Sequence, residues 1–149
     1  MKLDEILINN QTDIINEAFY SLERSHLKHY DSSRADENWQ RLAKLFDLTL
    51  NGVRTKSLVD IVNYSEKVAK ERYESGFDLH EVHTAYNVLE ESLWKIIVKE
   101  IEPSELPESL GLISTVLGTG KESLALAYVS LASKQKVKSL NLTQLFKGV

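Results

Sequence analysis

Cysteine is absent from the 149 residues. That excludes disulfides, thiolate nucleophiles and Cys-based zinc centres. Proline occurs twice and glycine six times, too little turn chemistry for an all-β fold of many short strands. Long apolar runs are missing too. The longest, Leu124 to Val129, falls far short of the ~18 residues a membrane span needs. The N-terminal stretch is interrupted by Asp4, Glu5 and Asn9-Asn10-Gln11, so it lacks the apolar centre of a secretory signal. A cytoplasmic location without membrane association is therefore expected. Nor is there an excess of positive charge. Lys+Arg number 18 and Asp+Glu 22, a net charge of −4, which argues against a dedicated binder of nucleic acid or anionic membrane.

What the chain does have is helical periodicity. Leu79, Val82, Tyr86, Leu89, Leu93 and Ile96 follow steps of three and four, which keeps them on one helix face. Leu106, Leu110, Ile113, Leu117, Gly120, Leu124, Ala127 and Leu131 do the same over a longer stretch, as the seam of a bundle helix does. Shorter stripes run Trp39, Leu42, Phe46, Leu50 and Leu58, Val62, Ala69, Tyr73. The N-terminal stripe, Leu3, Leu7, Ile14, Ala18, Leu22, is broken at Asn9-Asn10-Gln11, so one bent helix or two short ones both fit. Hydrophobic residues make up 42% and charged residues 27%, an ordinary globular mix. Residues 1–149 are read as one domain.

The breaks between stripes have identifiable mechanics. Gly52-Val53 and Gly76-Phe77 each offer a glycine for a left-handed helix end followed by an apolar residue. Asp78 stands three residues before Glu81, the spacing of a capping box. Ser57 and Asp60 repeat that spacing more weakly. Asp31-Ser32-Ser33 supplies cap oxygens before the Trp39 helix. Pro103-Ser104 ends one helix, and Pro107 fits the first turn of the next. The expectation is an all-α chain of about five helices, near 1–24, 33–51, 57–75, 78–101 and 104–134. Short loops predict an antiparallel up-and-down helical bundle. Residues 137–149, with Leu140, Leu145 and Phe146, are read as a C-terminal extra helix or a connector.

Tests for chemistry return little. Gly118-Thr119-Gly120-Lys121 lacks the first glycine, the following hydroxyl and the preceding strand of a phosphate loop. It reads as a small-residue site where another element approaches closely. The histidines His26, His29, His80 and His83 match neither the H-E-x-x-H zinc pattern nor a paired E-x-x-H di-iron set, so no metal and no cofactor is expected. Haem ligation needs a buried histidine, whereas the helical projection turns His80 outward and leaves His83 at the border. Glu90 falls near the apolar face beside Trp94, with its stem packed and its head reaching water. Phe77-Asp78-Leu79-His80-Glu81-Val82-His83-Thr84 resembles the histidine kinase H-box, H-E-[LIV]-R-T-P. An exposed His80 with the Glu81 carboxylate beside it would suit a phosphoacceptor. However, His83 replaces the arginine and Ala85 the proline.

The segment Ala69–Val82, with Arg72, Gly76, Leu79 and Glu81 as matching positions and Asp78 as cap, resembles the N-terminal domain of the RsbT co-antagonist family. There an R…G-[FY]-x-L-x-E-[VL] turn joins two helices. The resemblance spans roughly residues 5–134 and rests mostly on turn chemistry. It implies a non-catalytic bacterial signalling input or scaffolding module. Such a module would form a homodimer and pass its state to an output domain or a bacterial signalling partner. No ligand residue carries over. Trp94 and Val88, off the main stripe of their helix, are expected to be exposed and to favour self-association. A histidine phosphoacceptor using His80 and Glu81 is the alternative of a different class. A small-molecule or haem sensor with a pocket inside the bundle is another.

Overall fold

The computed structural model describes residues 2–147, with side chains described through Lys134. Among the described residues every regular element is helical. In chain order they are α1 (Leu3–Asn9), α2 (Gln11–Arg24), α3 (Lys28–Ser32), α4 (Ala35–Thr55), α5 (Val59–Glu74), α6 (Leu79–Glu100), a 3-10 turn (Pro103–Glu105) and α7 (Leu106–Lys147). The count differs from five for local reasons. The N-terminal stripe resolves into two helices joined at Asn10, whose φ of −112° leaves the helical region and whose Nδ2 donates to the Ile6 carbonyl at 2.8 Å. The short helix α3 has no apolar periodicity to announce it. Backbone of the 137–149 stretch continues α7 as far as Lys147; its side chains, and residues 148 and 149 altogether, lie outside the described ones.

The core forms where the stripes face each other. Leu7 and Ile14 from the N-terminal helices, Phe46 from α4, Leu89, Leu93 and Ile97 from α6, and Ile113, Leu117 and Leu124 from α7 are essentially fully buried. α7 packs on α5 and α6 and also touches α4, while α2 packs on α6 and α4. Burying a Leu, Ile or Phe side chain stabilises by roughly 1.5–3 kcal/mol, so these interlocking faces dominate over intrinsic helix propensity.

Several local expectations are corrected. The inward face of α5 is shifted from the expected stripe: Ala69 is buried as expected, but so are Ile61, Ser65, Val68 and Arg72, whereas Leu58, Val62 and Tyr73 are only half-buried. Of the inward polar groups, Ser65 shares a hydrogen bond with Tyr86 at 2.8 Å, whereas Arg72 Nε is buried without a partner. Gly52 does not end α4. It lies inside the helix, where a Cβ would meet the Val116 side chain at 3.0 Å, and the left-handed end falls on Lys56 at φ 54°. Ser32 and Ser33 do not cap α4; both hydroxyls donate back to the His29 carbonyl. Val88 is buried at 7% exposure, while Trp94 is exposed at 42%.

Candidate functional site

The turn between α5 and α6 carries the densest polar chemistry, and its backbone explains why. Gly76 sits at φ 87°, a conformation that costs an L side chain roughly 1–2 kcal/mol. It lets the Phe77 N–H reach the Arg72 carbonyl at 2.9 Å and the Gly76 N–H reach Tyr73 at 3.1 Å, the Schellman pair that closes a helix end. Asp78 and Glu81 then form a capping box, with the Asp78 N–H donating to Glu81 Oε1 at 3.0 Å. All four turn positions read from the sequence, Arg72, Gly76, Asp78 and Glu81, therefore meet at one corner.

Glu81 does more than cap. Its carboxylate, 4% exposed, accepts the His29 backbone N–H at 2.8 Å through Oε2 and faces His29 Nδ1 at 2.6 Å through Oε1. Burial pushes the Glu81 carboxyl up, but the Asp78 and His29 donors outweigh it and hold the group below its ordinary value. One carboxylate thus ties α3 to the start of α6. His80, by contrast, is exposed on the first turn of α6. The Glu81 carboxylate is bound to His29 and Asp78, and no hydrogen bond joins it to His80 among the described residues.

Phe77 is the hub of the corner. His29 lies tilted against its ring at 5.0 Å and Tyr30 meets it edge-on at 5.0 Å. The guanidinium carbons of Arg41 and Arg72 stand 5.7 and 5.8 Å from its centroid, within cation–π range. From α7, the Tyr128 hydroxyl donates to the Phe77 carbonyl at 3.1 Å. Five elements therefore converge on one turn. Sequence reasoning found the turn but missed His29, Tyr30 and Arg41. His29 lies 52 residues from Glu81, and no local pattern reports a pairing over that separation.

A second polar cluster links α6 to α7. Lys121 Nζ donates to Glu90 at 2.7 Å and to the Asn87 side-chain oxygen at 3.1 Å, and Asn87 contacts His83 Nδ1 at 3.2 Å. Burial, with Lys121 and His80 nearby, pushes the His83 ring below its usual value, against the pull of Glu90. Glu90 is paired rather than solvated. Lys121 acts as a cross-helix ion-pair partner here. The adjoining Gly120 is where another element approaches closely, since a Cβ there would come within 3.0 Å of both Ile61 and Tyr86. Among the described residues no three His, Asp or Glu side chains gather as a metal set, and no helix is long and apolar enough to cross a membrane.

The third feature is the far part of α7. This helix has 42 residues, against 22 in α6, so it is about 63 Å long. Among its described side chains the last buried one is Tyr128, and from Val129 through Lys134 none is buried. Leu126 and Val129 are 64% and 60% exposed. Comparisons with protein-family models, curated proteins and solved structures returned no match to this chain.

Proposed function

We propose that this chain is a non-catalytic interaction module of a bacterial signalling protein, acting through homodimerisation and contact with an output domain. The observation that carries the reading is α7. Residues Leu106–Tyr128 match the length of α6 and supply the core, and the helix then runs on through Lys147. Leu126 and Val129 stand exposed three residues apart on this helix, and Leu140 follows Leu126 by two heptads in sequence. Apolar residues at that spacing on an outrunning helix suit a helix–helix contact with a second copy. Short connections between α4, α5, α6 and α7 support an antiparallel up-and-down arrangement, which would leave the end of α7 free to reach a partner. A cytoplasmic setting fits the same reading.

Neither alternative gains a specific observation. The Glu81 carboxylate that would polarise His80 is bound to His29. The cavity among α2 to α6 is about 20 Å³, room for a water-sized species, and the larger hollow of about 340 Å³ lies beside α2, α3 and the start of α4 rather than between the long helices.

Sedimentation velocity from roughly 1 to 200 µM tests the proposal. The expected result is a dimer that a Leu126→Glu/Val129→Glu variant converts to monomer with an unchanged far-ultraviolet circular dichroism spectrum. A monomer at every concentration, or a dimer indifferent to the substitutions, would overturn it.

A further inference from the structure

The small cavity among α2 to α6 has an unbalanced lining. Its polar-bearing residues are Tyr30, Asn38, Arg41, Tyr64, Arg72 and Tyr86, and the rest are apolar. Two arginines therefore line it, and no acidic residue does. Arg72 is 9% exposed, and its Nε is buried without a hydrogen-bond partner. The nearest acids sit on the outer side at the edge of ion-pair range. Glu37 is 3.9 Å from Arg41 and Glu71 is 3.6 Å from Arg72, and both acids are about half exposed. Two of the other polar groups are already engaged. Asn38 donates to the Tyr30 carbonyl at 2.9 Å and accepts from Arg41 at 2.9 Å, and the Tyr86 hydroxyl is bonded to Ser65.

A buried donor without an acceptor costs roughly 1–3 kcal/mol, and more when the group is charged. Two like charges beside one cavity add repulsion. Consistent with that, burial and then the neighbouring Arg72 push the Arg41 guanidinium below its ordinary value. A water molecule in about 20 Å³ would give Arg72 Nε an acceptor, but it would add no negative charge, and the half-exposed Glu37 and Glu71 are the only ion-pair partners shown for these two arginines among the described residues. We infer that the cavity is a binding site for one small monovalent inorganic anion of chloride size, held by Arg41 and the Arg72 Nε–H against the tyrosine and aliphatic walls. Volume selects the ligand class: a carboxylate-bearing metabolite or a phosphate does not fit. This inference is independent of the α7 contact.

Thermal unfolding of the full chain at constant ionic strength tests it, with sodium chloride exchanged for sodium gluconate, a monovalent anion too large for the cavity. The unfolding midpoint should rise by about 3 °C as chloride replaces gluconate, with bromide acting like chloride. Arg72→Met should remove the chloride response. Arg41→Gln, at a half-buried position, should weaken it, and it remains informative if the Arg72 variant does not fold. Chloride-35 line broadening by the wild-type protein, reversed by bromide, reads occupancy directly. Bromide crystals should show one anomalous peak between Arg41 and Arg72. Equal midpoints in chloride and gluconate, an unchanged response in the variants, or no line broadening would overturn the proposal and leave water as the occupant.

Discussion

Glu81 shows how much one side chain can decide. It caps α6 and receives α3, all through two oxygens. Its folded-state carboxyl is held below its ordinary value. The associated stability is therefore fully present above the unfolded pKa, near 4.3, and is lost as pH falls through the lower folded value. Glu81→Gln should lower unfolding free energy by about 2–3 kcal/mol at pH 7, since hydrogen bonds to a charged acceptor are being weakened. In urea titrations the gap to wild type should close as pH drops below about 4. A gap that stayed constant from pH 7 to 3 would show that shape, not charge, matters at this position. Asp78 and Glu81 announced the capping box by spacing alone. The His29 half of the arrangement did not, because two residues 52 apart meet only through packing.

At the scale of the element, α7 is informative because its small residues are not equivalent. Gly118 has nothing within 4 Å of an added Cβ, whereas Gly120 meets Ile61 and Tyr86 at 3.0 Å and Ser65 at 3.2 Å. Ser65 and Tyr86 are themselves hydrogen-bonded, so they have little room to yield. Gly118→Ala should therefore stabilise the protein by about 0.5–1 kcal/mol through helix propensity. Gly120→Ala, two residues on, should destabilise it by about 1–2 kcal/mol through overpacking. Chemical denaturation of the two variants reads both signs, and equal effects would contradict the close approach of α5 and α6 at Gly120. The G-T-G-K string was legible as a small-residue site. Which glycine faces a neighbour follows from the phase of α7 against α5, which the string itself does not contain.

For the whole molecule, the exposed part of α7 has a thermodynamic consequence. A contact made only by folded copies stabilises them by mass action. The thermal midpoint should then rise with protein concentration, and Leu126→Glu should flatten that dependence. A midpoint independent of concentration in the wild type would count against the dimer regardless of what hydrodynamics suggests. The helices needed for this behaviour were visible as apolar stripes. Their inward phase was read correctly for the main stripes of α6 and α7, where Leu89, Leu93, Leu117 and Leu124 are buried, although Val88 of α6 is buried as well. It was incomplete around α5, where Ala69 of the stripe is buried and Leu58 and Tyr73 pack at the core's edge, but Ile61, Ser65, Val68 and Arg72 also turn inward.

Local physics determined the all-helical class, the long α6 and α7 stripes, and the Gly76–Glu81 turn. Side-chain period, left-handed glycine and cap spacing act over a few residues and so are written in the chain order. Tertiary packing alone decided the rest. It set Glu81 against His29, gathered Arg41 and Arg72 around Phe77, and left Arg72 Nε buried without a hydrogen-bond partner. It also placed Leu126 and Val129 in solvent. Each of these depends on which helix lies beside which, and that is fixed by how the buried faces interlock once the helices have formed.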